Sequence, residues 1–120
     1  MSAPSPVAAS VTVDISGLER RFGPEAMSRA QELFAARVGF DSNAYVKYDS
    51  GDTYRSMGAA SDYGEGLVVW DTPYAGYAYR DPHVRTEHNP KAAARWFEVA
   101  KEARKESWRA YALAALVGRG

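Results

Sequence analysis

From Ala92 to about Val117 the chain is rich in alanine, lysine, glutamate and arginine, residues that cost little in a helix. Trp96, Phe97, Ala100, Trp108, Tyr111 and Ala115 give this stretch an apolar side, and Gly118 and Gly120 end it. The pattern predicts one long helix, whose apolar side the rest of the chain must cover. With 120 residues in all, the chain has the length of one domain.

The elements expected to do the covering are short. Residues 1–10 (MSAPSPVAAS) are small and proline-bearing and are expected to form a flexible N-terminal arm, leaving 11–120 as a single domain. Val11-Thr-Val-Asp-Ile15 alternates apolar and polar residues, the period of a half-buried strand, and Ser16-Gly17 closes it. A first helix is expected to start near Pro24, with Glu25 at the positive end of its dipole. Met27, Ala30, Leu33, Phe34 and Val38 form its apolar stripe, and Gly39 is its expected stop.

Between Tyr45 and Tyr79 the residues favour strands. Tyr45–Tyr48 reads as extended and Asp49-Ser-Gly51 as a turn. Asp62–Gly66 is a second turn feeding Leu67-Val-Val-Trp70; Thr72-Pro73 then breaks the run, and Tyr74–Tyr79 resumes it with Tyr77 and Tyr79 on one face. Arg80–Lys91 (RDPHVRTEHNPK) is a polar loop. The expected architecture is α+β: an N-terminal strand and helix, an antiparallel meander of three or four strands, and the long C-terminal helix packed on the sheet.

Charge and composition narrow the function classes. Lysine plus arginine equals aspartate plus glutamate, 15 each, whereas nonspecific duplex binders carry a cationic excess. Zero net charge is compatible with self-association, and a small domain leaves much surface exposed, so an oligomer is a natural expectation. The absence of cysteine removes disulfides, thiolate metal sites and cysteine nucleophiles. No apolar run approaches the roughly 20 residues that span a bilayer. The opening Met1–Pro6 lacks the basic and apolar regions of a secretory signal, so synthesis in the cytoplasm and no membrane association are expected.

The chemistry-bearing residues do not assemble into a catalytic pattern. Gly64 and Gly66 precede a strand, whereas a phosphate-binding glycine loop joins a strand to a helix. His83 and His88, with Asp81 and Glu87 nearby, invite a metal reading but lack a third and fourth ligand. Ser50, Ser56 and Ser61 are not in a strained strand-to-helix elbow. Asp49, Asp52, Asp62 and Glu65 do not follow the spacing of a calcium loop. No enzyme activity, cofactor or metal is expected. The aromatic residues say more. Trp70, Trp96 and Phe97 suit a core between meander and helix, while Tyr77 and Tyr79 suit either that core or a protein interface. A base-stacking surface wants basic residues interleaved with the aromatics, and Leu67–Tyr79 has none.

At Trp70-Asp-Thr-Pro-Tyr-Ala75 and Arg95-Trp-Phe-Glu-Val-Ala-Lys101 the sequence resembles the minor capsid proteins of long-tailed phages and prophages. Further matches in order are Val13-Asp-Ile-Ser-Gly17, Ala30-Gln-Glu-Leu33, Asp49-Ser-Gly51 with Ser56, Asn89-Pro-Lys-Ala92, and Trp108, covering roughly residues 11 to 110. The chain departs from the pattern at Arg80-Asp-Pro82 and at Tyr48, both in loop positions. The resemblance implies a virion structural protein at the head–tail junction, a head–tail connector or tail-completion subunit. It implies a six-fold homo-oligomeric ring between a stopper or connector and the tail terminator or tube, with DNA crossing the lumen without sequence-specific contacts. A tail terminator is the alternative, and a small DNA-binding accessory protein a more distant one. Asp49, Gly51, Trp70, Asp71, Pro73, Tyr74, Asn89, Pro90, Trp96 and Phe97 are then motif residues with structural roles. Tyr77, Tyr79, Arg80, His83, Arg85 and His88 are the candidate interface.

Overall fold

The computed structural model describes residues 6–12, 19–47, 52–87 and 89–117. In chain order its elements are β1 (Val7–Ser10), α1 (Glu19–Ser42), a 3₁₀ turn (Asn43–Tyr45), α2 (Asp52–Ala60), a second 3₁₀ turn (Tyr63–Glu65), β2 (Leu67–Trp70), α3 (Ala75–Arg80) and α4 (Trp96–Leu116). The class is α+β as expected, but helix dominates.

The two long helices form the frame. Gly23 interrupts α1 with a non-helical φ of 76° and ψ of 168°, so the continuous helix begins at Pro24, where the sequence placed it. Ala30 packs with Ala115 and Leu116, and Asp41 bonds to Trp108, so α1 and α4 run antiparallel against each other. The long helix thus packs on α1 rather than on a sheet, which corrects the expected arrangement. Helix α4 also starts at Trp96 rather than Ala92. Arg95 before it is left-handed, with φ 52°, and directs its N–H to the Tyr79 carbonyl at 2.7 Å.

Gly39 does not stop α1, which continues to Ser42. Its role is proximity: a Cβ there would stand 2.7 Å from Met57 Sδ and 3.1 Å from Val68 Cγ1. Only the missing side chain lets α2 and β2 approach α1 so closely.

The meander is replaced by two strands. Val7–Ser10 lie in the stretch expected to be a loose arm, yet they pair antiparallel with Leu67–Trp70 in the register Val7↔Trp70 to Ser10↔Leu67. Burial explains this: Val7 and Ala9 alternate into the core, while Ala8 and Ser10 face out. Residues 1–5 of that arm, Val13–Ile15 of the expected first strand, and the Asp49-Ser-Gly51 turn lie outside the described residues. Tyr45 closes a 3₁₀ turn, and Tyr74–Tyr79 form the helix-initiating turn and most of α3 instead of a strand.

Gly66 makes the pairing possible. It ends the second 3₁₀ turn in the left-handed region, φ 72°, and its carbonyl accepts from Val11 N–H at 2.7 Å. A Cβ at this position would meet the Val11 carbonyl oxygen at 2.2 Å. That same Val11 oxygen accepts from Gln31 Nε2 at 2.7 Å, tying the strand to α1.

The core fills the space between sheet, α1 and α4. Trp70 and Trp96 are fully buried and meet edge to face with centroids 5.9 Å apart. Phe97 stacks on Trp108 at 6.3 Å. Trp108 Nε1 donates to Asp41 Oδ2 at 2.7 Å, and Arg37 Nε reaches the same oxygen at 3.2 Å. The buried carboxylate is therefore paired, the condition under which an internal charge is tolerated. Trp70, Trp96 and the half-buried Phe97 were expected in a core between a meander and the last helix; they lie instead in a core bounded by the two-stranded sheet, α1 and α4.

Candidate functional site

The motif blocks that stood out in the sequence meet in one structural joint. Trp70 Nε1 donates to Asn43 Oδ1 at 2.7 Å, fixing β2 to the end of α1. Just beyond, Asp71 N–H donates to Ser56 Oγ at 2.9 Å, and Ser56 Oγ donates to Thr53 O at 2.7 Å. Thr53 Oγ1 and Thr72 Oγ1 lie 3.2 Å apart. Ser56, matched earlier only by its distance from the Asp49-Ser-Gly51 turn, thus clamps α2 to the Trp70–Ala75 block. Its neighbours Asp71 and Pro73 are exposed, so their side chains shape the turn rather than fill the core.

Helix α3 follows directly. Ala75 and Gly76 are buried, and Ala75 N–H donates to Thr72 O at 3.1 Å. Because α3 is a helix, residues two apart point to nearly opposite sides. Tyr79 turns inward and lays its ring edge to face on Trp96, with centroids 4.7 Å apart, and is half-buried. Tyr77 points out, 71% exposed, and joins Tyr74, 69% exposed, and the exposed Arg80. The pairing of Tyr77 and Tyr79 on one face, expected from a strand, is corrected: Tyr74 takes the place of Tyr79 beside Tyr77.

The loop after α3 is anchored at its base and free along its length. Lys47 Nζ donates to the Asp81 carbonyl. Asn89 Nδ2 donates to Ala44 O at 3.1 Å and to Val46 O at 2.9 Å, while Asn89 Oδ1 accepts from Lys91 N–H at 3.1 Å. Ala93 N–H donates to Tyr45 O at 3.0 Å. Asn89 thus ties the loop to the segment after α1, and exposed Pro90 follows it in the turn. From Pro82 to Glu87 every residue is exposed. His83 and Arg85 lie on this arch; His88 lies outside the described residues.

The electrostatics of the loop root are local. The His83 backbone N–H and ring Nδ1 reach Asp81 Oδ1 at 3.1 and 3.0 Å. These hydrogen bonds, led by the backbone one, hold the Asp81 carboxyl below the usual aspartate value. Partial burial lowers the Lys47 ammonium, an effect that nearby Asp81 opposes. Among the described residues no three His, Asp or Glu side chains converge as metal ligands would. No helix is long and apolar enough to cross a membrane, among the described residues.

Several residues that matter here were not singled out in the sequence. Asp41, Asn43 and Lys47 act through bonds to partners distant in the chain, Trp108, Trp70 and Asp81, and nothing in their local pattern marks them. Gln31 is the exception, since it sits in the Ala30-Gln-Glu-Leu33 match and its side chain holds β1.

The minor capsid protein family matches the chain over residues 9–116, which takes in every described element from the middle of β1 to the end of α4. No curated protein and no solved structure matches it. With a family match over nearly its whole length and ordered motif blocks that explain its joints, the chain belongs to the minor capsid protein family, as a structural, non-enzymatic component of the phage virion.

Proposed function

We propose that this minor capsid protein acts at the head–tail junction, as a head–tail connector or tail-completion subunit that joins copies of itself into a ring around the DNA channel. The observation that carries the reading is the surface formed by Tyr74 and Tyr77 with Arg80 and the Pro82–Glu87 arch. Large aromatic side chains held by a short helix on a rigid core are the chemistry of interface hot spots, because they bury much area at little entropic cost. Arg80 and Arg85 add the polar rim that such a contact uses. Head-to-tail contacts between unlike faces close into rings when the rotation permits. A neutral net charge suits a subunit that lets DNA pass without gripping it.

Averaged images of virion necks carrying a tagged copy of this chain provide the test. Density of the tag in a ring at the neck is the expected result, and its tier separates a connector from a tail terminator. Tag distributed over the icosahedral shell would overturn the proposal. In parallel, Tyr74→Ser with Tyr77→Ser is expected to abolish ring assembly by sedimentation while leaving the monomer's melting temperature unchanged. Arg80→Ala with Arg85→Ala is expected to lower virion yield.

A further inference from the structure

The two edges of the small sheet are unlike. Val11 N–H donates to Gly66 O, and in an antiparallel ladder alternate residues exchange bonds with the facing strand. With the register Val7↔Trp70 to Ser10↔Leu67, that phase turns the backbone groups of Val7 and Ala9 toward β2 and those of Ala8 and Ser10 away from it. On β2 the same phase turns Leu67 and Val69 outward, and there the outward groups are met. Leu67 N–H donates to Asp62 O at 2.9 Å and Leu67 O accepts from Asp62 N–H at 2.8 Å. Ser61 Oγ accepts from Val69 N–H at 2.8 Å and donates to Val69 O at 3.4 Å. On β1 no described residue meets the outward N–H and C=O groups of Ala8 and Ser10, and both residues are exposed.

Ser10 carries this open edge to a groove of about 310 Å³ between β1, α1 and α4. Its floor is apolar, with Phe34, Phe97 and Trp108. Among the described residues the charged side chains on its wall are Lys101, Lys105 and Arg109, one every turn along α4, and none is acidic. Glu102 and Glu106 approach Lys105 and Arg109 at 3.6 and 2.5 Å, but they stand outside the wall on exposed helix surface, where such pairs hold weakly. In a chain of zero net charge this is a local cationic concentration beside a strand whose outer edge no described residue pairs.

We propose that this edge and groove receive an extended, acidic segment of a partner protein, added as a third strand beside β1. Its backbone would meet Ala8 and Ser10, its apolar side chains the aromatic floor, and its carboxylates Lys101 and Lys105. The open edge calls for an extended backbone, and the one-sign wall calls for negative charge. A second copy of the chain fits less well. Its exposed irregular run, Pro82–Glu87, sets His83 and Arg85 beside Glu87 and offers little negative charge, among the described residues. The site is separate from the Tyr74–Tyr77 surface, so either proposal can fail without the other.

The test titrates the full chain into a fluorescein-labelled hexapeptide alternating glutamate and valine and reads anisotropy. Saturable binding is expected, falling roughly tenfold for Lys101→Glu with Lys105→Glu, two exposed positions that leave the core untouched. Ser10→Pro removes an outward N–H without touching the β1–β2 ladder, and it is expected to weaken binding, as is N-methylation of the peptide backbone. A lysine–valine peptide is expected not to bind. The proposal is overturned if the glutamate peptide does not saturate, if the lysine peptide binds equally, or if both sets of variants bind like the parent. Sedimentation supplies the remaining outcome: self-association that Lys101→Glu with Lys105→Glu abolishes would make the occupant a second copy and refute the acidic partner.

Discussion

Replacing Gly66 by alanine perturbs the sheet at the one residue, among those described, where backbone conformation and packing both demand glycine. Its φ of 72° lies where an L-residue costs about 1–2 kcal/mol. The added Cβ would also fall 2.2 Å from the Val11 carbonyl oxygen, a backbone atom that cannot swing aside. Relief requires β1 to withdraw, which breaks Val11 N–H to Gly66 O and disturbs Gln31 Nε2 to Val11 O. Each such bond contributes about 1 kcal/mol net. The sum is about 3–4 kcal/mol, a large share of the roughly 5–15 kcal/mol that stabilises a domain. For a chain of this size the melting temperature should fall by about 10–15 °C. Gly64 is the control, two residues away in the same turn. It has no positive φ, and its nearest neighbour to an added Cβ is Asp62 Oδ1 at 3.8 Å, so Gly64→Ala should change little. Thermal unfolding followed by circular dichroism gives both numbers. Equal melting temperatures for Gly66→Ala and Gly64→Ala would refute the reasoning.

Trp108→Phe keeps the stack on Phe97 but removes the indole donor to Asp41, leaving a carboxylate only 6% exposed with Arg37 alone. A loss of about 2–3 kcal/mol is expected from denaturant titration. Asn89→Ala strips two bonds from the Ala44 and Val46 carbonyls; a loss of about 1–2 kcal/mol is expected, with faster amide hydrogen exchange confined to the loop root. At Asp81 the hydrogen bonds from His83 depress the carboxyl pKa. The anchoring is therefore fully present above the unfolded-state pKa and is lost as pH falls through the lower folded value. The His83 amide resonance should titrate with an acidic midpoint below that of an ordinary aspartate, and Asp81→Asn should abolish the transition.

The long elements were legible because their burial repeats many times. In α4, Trp96, Ala100, Trp108 and Ala115 fall on one side through five turns, and no competing pattern shares the stretch. The short elements were misread for the opposite reason. Tyr74–Tyr79 is rich in aromatic residues that favour strands, and a six-residue helix is too brief to display its own period. Val7-Ala-Ala-Ser10 has weak strand propensity and becomes a strand only because Leu67–Trp70, far along the chain, offers it a ladder and a buried face. Ser56, Trp70 and Asn89, which the resemblance had picked out, each bond to segments distant in the chain. The open edge beside Ser10 left no local mark, since it depends on which neighbours three distant segments bring together.

The three indoles also make the molecule its own reporter. Trp70 donates to the neutral amide oxygen of Asn43, Trp108 to the carboxylate of Asp41, and the buried Trp96 Nε1 has no acceptor among the described residues. Those are three different electronic settings for one chemical group. Their N–H resonances should be well separated, with Trp108 the most deshielded and Trp96 the least. Trp70 watches the junction of β2 with α1, Trp96 the seat of α3, and Trp108 the floor of the groove. Assembly or docking could therefore be assigned to a face of the protein in solution without attaching any label.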